Sequence, residues 1–431
     1  MNKYLQLLYD GEYDELVADT LSVLDCDKDA ERAFLRLFMQ KGPVVMLDFD
    51  DTIAPLIKEA EKGNKYAQYA YARWQSLDCG GENSIAISYR NMKAAAEQNL
   101  PDAIAGYAMT YEFGDIGIVN WEKYRELVDQ SVAMGSELGK MYRLRELCFG
   151  IHYQDPQPEK AAQLASQYIA DDEAAGIEPN GMWFYYRAAA NEQRIGRTRV
   201  IDDYQRALDL GVLAAYDDLI IAYGYGDDLE ILVENKEYNE YLKQGIAHLA
   251  AGAFYLDAAR EMRRFDFFDN SYHHKGVQQF QIEYGVKQQC HELIFSRLSD
   301  AARLGDNAAW EQLGDCYYNG WYDFEKDYKK AFTAYSNGVI HNSVTCAEKM
   351  WKMMHDHIID RPIDYIDSIA LYGARWGSKR LLAETVIACQ EGRLTEYADE
   401  ITKYYDPIFD APEFTLDDEE MDDDGRYDAW A

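Results

Sequence analysis

The stretch from residue 301 to residue 338, AARLGDNAAWEQLGDCYYNGWYDFEKDYKKAFTAYSNG, constrains the fold more than any other part of the chain. Its first half carries small and apolar residues at the spacing of one helical face, at Ala309, Leu313 and Tyr317. Gly320 then predicts a helix end, and a polar and aromatic turn leads to Asp327. Its second half repeats the helical spacing, at Ala331, Ala334, Tyr335 and Val339. The stretch predicts two antiparallel helices that approach closely at small residues such as Gly314.

Weaker copies of this pattern recur along the chain. An Ala-x-x-Gly step or its equivalent anchors each copy, at Gly63, Asn99, Gly135, Gly181, Gly211, Gly252, Gly305, Gly338 and Gly377. The intervals vary from 30 to 53 residues, and their mean suits a unit of two helices with loops. The alternative is an ordinary all-helical domain in which the Ala and Gly pairs serve only packing. Both interpretations predict an all-α fold.

The pattern resembles the Sel-one-like repeat, a relative of the tetratricopeptide repeat. The 301–338 stretch fits the family pattern at Ala309, Leu313, Gly314, Tyr317, Gly320, Asp327, Lys330, Ala331 and Tyr335. The Tyr-x-x-Gly step alone recurs at Tyr111 with Gly114 and at Tyr223 with Gly226. The resemblance implies a right-handed α-solenoid of antiparallel helix pairs with a long concave surface.

Four segments follow from this interpretation. Residues 1–52 are expected to form an N-terminal helical cap in which Asp27 begins a helix, and residues 53–392 to form the solenoid. An insertion is expected near 263–290, because the interval from Gly252 to Gly305 is long. Residues 393–409 are expected to form a terminal helix. Residues 410–431 carry ten acids against one Arg, a composition that predicts a disordered tail.

The segment VVMLDFDDT at residues 44–52 matches the Asp-x-Asp-x-Thr motif of the haloacid dehalogenase phosphatases. That resemblance would make Asp48 the nucleophile and Asp50 the general acid, with magnesium beside them. Such a site requires a buried parallel strand before Asp48 and further strands after it. The residues after Thr52 instead have helical spacing, and we expect Asp51 or Thr52 to cap a helix with Pro55 in its first turn. The phosphatase is therefore the weaker alternative.

Charge restricts the class of partner. With 77 acidic and 43 basic residues, the formal net charge is −34, which repels nucleic acid and anionic membrane surfaces. The N-terminal residues do not resemble a signal peptide, and the seven scattered cysteines indicate a reducing compartment, so we expect a cytoplasmic protein. The residues predict a non-enzymatic scaffold that binds a protein or peptide, possibly basic, on its concave face. An acidic inhibitor or immunity-type protein that neutralises a basic target is the other binding hypothesis.

The candidate binding residues are aromatic. Trp321, Trp376 and Tyr318 are expected to contribute to the concave face, because Tyr and Trp dominate the energetics of protein interfaces. Two groups of histidines, His273-His274 and His355-x-His357, have spacing that does not complete a metal site, and neighbouring Cys290 and His291 point apart. We expect neither a metal nor a cofactor.

Overall fold

A computed structural model describes residues 2–79, 84–114, 117, 119–226, 234–270, 277–412 and 414, with the side chains of 78–79, 268–270 and 277–284 left out. All regular elements in these ranges are helical, which confirms the all-α prediction. The α-helices, in chain order, are α1 Lys3–Asp10, α2 Tyr13–Thr20, α3 Lys28–Leu37, α4 Lys41–Val45, α5 Ala54–Glu61, α6 Lys65–Trp74, α7 Ser84–Glu97, α8 Pro101–Glu112, α9 Trp121–Ala133, α10 Glu137–Phe149, α11 Pro158–Ala174, α12 Gly181–Ile195, α13 Ile201–Asp209, α14 Ala215–Tyr225, α15 Lys236–Ala247, α16 Ala251–Asn270, α17 Val277–Arg303, α18 Asn307–Asn319, α19 Tyr328–Ile340, α20 Val344–His355, α21 Ile363–Arg375, α22 Lys379–Gln390, α23 Ala398–Glu400 and α24 Asp406–Phe409.

Consecutive helices from α6 to α13 and from α18 to α21 pack on each other in pairs. Tyr223 of α14 stacks on Tyr241 of α15, and Arg297 of α17 donates to Asp257 of α16. We call the first member of each pair a first helix (α6, α8 and so on to α20) and the other a second helix, and we count α22, which follows the last pair, as a first helix. First helices also contact the next first helix, as in α8 with α10 and α18 with α20. This layered contact is what the predicted array of helix pairs requires.

The helix pair predicted from residues 301–338 is present as α18 and α19. Gly320 ends α18 in the left-handed conformation with φ of 75°, and the Asp327 carboxylate caps α19 by accepting hydrogen bonds from two backbone N–H groups. Gly314 lies against the ring of Tyr335, where a Cβ would overlap the ring. Close approach therefore requires glycine at this position.

A left-handed residue marks the turn before each first helix. The residues in this conformation are Gly63, Asn99, Gly135, Gly176, Gly211, Leu249, Gly305, Asn342 and Gly377. The anchors expected at Gly181, Gly252 and Gly338 are wrong, since these glycines lie inside helices and provide close contacts. The corrected intervals are 36, 36, 41, 35, 38, 56, 37 and 35 residues.

The chain divides into two compact units. Unit 1 contains residues 1–223, 236–256 and 303–305, and one hydrophobic core joins its N-terminal helices to its helix pairs. Unit 2 contains residues 224–235, 257–302 and 306–431, with a core formed by α19, α20, α21 and α22. After α22, residues 395–409 form short consecutive helical turns. Of the predicted acidic tail, residues 413 and 415–431 lie outside the described residues.

Carboxylates connect successive first helices. Ser136, the N-cap of α10, donates to Asp102 of α8 at 2.5 Å, and Ser378, the N-cap of α22, donates to Glu348 of α20. Burial raises the pKa of Asp102 to about 6, although the hydrogen bond from Ser136 opposes this rise. These bonds fix the register of one helix pair against the next.

Candidate interaction surface

The first helices of unit 1 are partly covered by the chain's own N-terminus. Helix α3 packs across them, with its apolar side fully buried (Ala30, Ala33, Phe34 and Leu37). The ring of Phe34 meets the Tyr66 ring of α6 edge-on at a centroid distance of 6.5 Å. The amphipathic spacing of α3 produces this buried side.

Arg36 fixes α3 on this surface. Its Nε and Nη2 atoms donate to the two carboxylate oxygens of Glu137 on α10, at 2.7 and 2.9 Å, and Nη2 also donates to the Glu178 carbonyl oxygen. Only 4% of the Arg36 side chain is exposed. Burial alone would raise the pKa of Glu137, but the charge and hydrogen bonds of Arg36, with a hydrogen bond from Asn180, hold that pKa below its ordinary value.

The N-terminal segment reaches further along unit 1. The Gln40 side chain donates to the carbonyl oxygen of Gly211, at the turn before α14, at 3.1 Å. The contacts of residues 28–40 thus extend from α6 to the turn before α14. These N-terminal helices cover several first helices, whereas a cap is expected to contact one end. That part of unit 1 is closed by the chain itself.

Unit 2 presents exposed aromatic side chains. Tyr318, near the end of α18, meets Tyr328 of α19 edge-on at 5.2 Å, and 38% of Tyr328 is exposed. The Lys326 ammonium lies 5.2 Å from the centre of the Tyr328 ring. Trp321 follows the Gly320 turn and is half-buried. We call Tyr318, Trp321 and Tyr328 the first aromatic group.

Trp376 belongs to a second group. It follows α21, is half-buried, and stacks on Tyr372 at a centroid distance of 5.8 Å and an interplanar angle of 21°. Tyr372 is 43% exposed and Tyr365, two turns earlier on α21, is 39% exposed. Spacings of seven and eleven residues place these three rings on one side of the helix. We call Tyr365, Tyr372 and Trp376 the second aromatic group.

An ion pair holds the second group in place. Arg375 donates from Nε and Nη2 to both carboxylate oxygens of Glu400, at 2.8 and 2.7 Å. The Arg375 and Glu400 side chains are 3% and 8% exposed. The guanidinium also lies 5.9 Å from the centre of the Tyr372 ring. The buried Arg375–Glu400 ion pair therefore holds the guanidinium that contacts the exposed Tyr372 ring.

Sequence reasoning named one or two members of each group and missed Tyr328, Tyr365 and Tyr372. Tyr365 and Tyr372 had a signal in the sequence, since an interval of seven residues places them on one helical side together with Trp376. Trp376 directly follows α21, which is a second helix. The sequence prediction had placed Trp376 on the concave face. That assignment stays a prediction.

The phosphatase motif has no strand in the structure. Residues 44 and 45 belong to helix α4, and residues 49–53 form a wide turn of π-helical type that leads into α5. The described residues contain no β strand, so the geometry required for Asp48 and Asp50 as catalytic groups is missing. The expected cap at Asp51 or Thr52 is wrong, because the Asp48 carboxylate accepts the Asp51 N–H at 2.7 Å. Pro55 is in the first turn of α5, as expected.

The other reactive residues are accounted for by packing. His291 contacts the Tyr322 carbonyl oxygen at 2.9 Å, while Cys290 is buried and lies 3.6 Å from Glu261. These neighbours point to different partners, as expected. His273 and His274 lie outside the described residues, within which no group of His, Cys, Asp and Glu side chains has the arrangement of a metal site.

No family model and no curated protein matches the chain. Eight chains of solved structures are similar to it, among them the following two. One is a Sel1 repeat protein from Oxalobacter formigenes, with 14% identity and a TM-score of 0.33, covering 76% of this chain and 87% of that protein. The other is c5321, a protective antigen of uropathogenic Escherichia coli strains with an SLR fold, with 14% identity and a TM-score of 0.31, covering 79% of this chain and 75% of that protein.

Within the part of the chain that the structure describes, no helix has both the length and the apolar composition needed to cross a membrane.

Proposed function

We propose that this chain is a helical-repeat scaffold that binds a protein partner through the exposed aromatic groups of unit 2. The observation that carries the proposal is the second aromatic group, where an exposed Tyr372 stacks on Trp376 above a buried ion pair. Exposed, rigid Tyr and Trp rings provide a large contact area at a low entropic cost, which is why interface hot spots favour them. Trp321, Tyr318 and Trp376 keep the binding role predicted for them, now with Tyr328, Tyr365 and Tyr372 beside them.

The α3 contacts support placing the binding surface in unit 2. A partner for the part of the first helices that α3 covers would have to displace α3, whose apolar side is fully buried and whose Arg36 is paired. The aromatic groups of unit 2 require no such displacement, because Tyr365, Tyr372 and Tyr328 already expose more than a third of their surface.

Quantitative affinity purification tests the proposal. The tagged wild-type chain, the double variant Tyr365→Ala/Tyr372→Ala and the control Phe149→Ala are each incubated with native lysate, and bound proteins are quantified by mass spectrometry. Phe149 is 48% exposed and lies in unit 1, so it matches the exposure of the tested residues. We expect at least one protein to be recovered with wild type and control and reduced about tenfold or more with the double variant, the loss of a hot spot. Identical recovery from all three proteins would refute the proposal.

A further inference from the structure

The turn at residues 49–53 holds an exposed aromatic side chain against α6 in unit 1. Phe49 is 53% exposed, and its ring centre lies 6.1 Å from that of Trp74. Trp74 in turn stacks on Tyr71, one helical turn earlier, at 6.2 Å and 25°. Tyr71 and Trp74 are half-buried. The three rings form a continuous row that reaches the surface at Phe49.

Three carboxylates belong to the same turn as Phe49 or directly precede it. Asp48, Asp50 and Asp51 are all exposed, and none of them pairs with a cation within the described part of the chain. Asp14 of α2 holds this turn in place. Its carboxylate accepts hydrogen bonds from the Asp48 N–H at 3.0 Å and from the Thr52 hydroxyl at 2.5 Å. Asp50 and Asp51 follow Phe49 directly in this exposed turn, and no cation of the described part of the chain pairs with them.

We propose that Phe49, Tyr71 and Trp74, together with Asp50 and Asp51, bind an arginine or lysine side chain of a basic protein partner. A cation placed over aromatic faces is attracted by their π electrons, and adjacent carboxylates add a direct charge attraction. The net charge of −34 favours the approach of a basic partner and opposes nucleic acid or anionic lipid. The site is independent of the aromatic groups of unit 2, so either proposal can fail without the other.

Binding of a short arginine peptide tests the site. A fluorescently labelled Gly-Arg-Gly-Arg-Gly peptide is titrated with the full chain at low and at high salt, and a peptide with citrulline in place of arginine shows the contribution of the charge. Phe49→Ala leaves the net charge unchanged, and because Phe49 is largely exposed the fold is expected to persist, which circular dichroism checks. We expect this variant to bind the arginine peptide about two- to fivefold more weakly, the value for an exposed cation–π contact.

Matched controls separate this site from general attraction to an acidic surface. Asp50→Asn/Asp51→Asn removes two charges at the site, and Glu97→Gln/Glu173→Gln removes two exposed charges elsewhere. We expect the first pair to weaken arginine binding more than the second and to reduce its salt dependence. Phe149→Ala is the aromatic control and is expected to bind as wild type. Unchanged binding by Phe49→Ala, or equal losses in the two charge pairs, would overturn the proposal.

Discussion

Replacing Arg36 with methionine tests how firmly the N-terminal helices are held on unit 1. The substitution keeps an unbranched apolar side chain in the core and removes both hydrogen bonds to Glu137. Asn180 still donates to Glu137 at 2.7 Å, and the Arg32 Nε atom lies 3.9 Å from the same carboxylate, so Glu137 keeps two partners. Breaking one side of a buried ion pair costs about 3–5 kcal/mol, and the remaining Asn180 bond and Arg32 charge place the expected loss near the lower value, about 3 kcal/mol.

Hydrogen exchange measured by mass spectrometry on peptides covering residues 28–37 reports the opening of α3 itself. A loss of about 3 kcal/mol predicts exchange about 150-fold faster in α3, at about tenfold for each 1.4 kcal/mol. The exposed pair of Lys62 and Glu59 is the control, since its side chains are 68% and 36% exposed. Lys62→Met is expected to change stability by less than about 1 kcal/mol.

The pH dependence gives a second measurement of the same contact. Because the pKa of Glu137 is lowered in the folded chain, its contribution to stability is present above the ordinary value of 4.5 and is lost as the pH falls through the lowered folded value. The difference between wild type and Arg36→Met should therefore shrink in acid. If α3 exchanged at the same rate in Arg36→Met as in Lys62→Met at neutral pH, the Arg36–Glu137 pair would not be what holds α3 in place.

Three further outcomes follow from packing and burial. Gly314→Ala should destabilise the chain by about 1–3 kcal/mol in urea unfolding, because its Cβ overlaps the Tyr335 ring, whereas Gly285→Ala, with open space around it inside α17, should be neutral or stabilise by up to about 1 kcal/mol. The raised pKa of Asp102 means that the folded chain binds this proton more tightly than the unfolded chain. Wild type should therefore lose stability as the pH rises from about 4 to about 6, and Asp102→Asn should not show this loss. A thiol reagent should modify the exposed Cys26 quickly in the native chain, and mass mapping should find the four buried thiols unmodified until the chain unfolds.

The sequence was sufficient for the helix pair at 301–338, because that repeat combines every local signal. Helical spacing places Ala309 and Leu313 in the core, Gly320 ends the first helix and Asp327 begins the second. These signals act within a few residues, so they can be read without knowing the fold. The start of α3 at Asp27 was predicted on the same grounds and is confirmed.

Long-range contacts could not be predicted in this way. Arg36 and Glu137 are 101 residues apart, and nothing local to either residue identifies the other. The spacing of Ala30, Ala33, Phe34 and Leu37 shows that α3 has an apolar side, but not which helices cover it. The same limit applies to Phe49 and Trp74, whose proximity depends on the path of the chain through the turn at 49–53.

The misplaced repeat anchors have a specific physical cause. Glycine serves two purposes in these helix pairs, close approach inside a helix and left-handed backbone in a turn, and only the second marks the period. Gly338 lies inside α19 against Cys346, while the turn that follows uses Asn342 with φ of 65°. Asn adopts this conformation more readily than most residues. Choosing glycine as the anchor therefore identified the helix contact at Gly338 and missed the turn at Asn342.

The corrected turns also explain the one long interval. Seven of the eight intervals lie between 35 and 41 residues, and only the interval from Leu249 to Gly305 reaches 56. That interval still contains a single helix pair, α16 and α17, with 20 and 27 residues, where the other helices of the chain have 17 or fewer. The additional residues therefore lengthen both helices of this pair, to about 30 Å for α16 and about 40 Å for α17 at 1.5 Å per residue, and add no further pair.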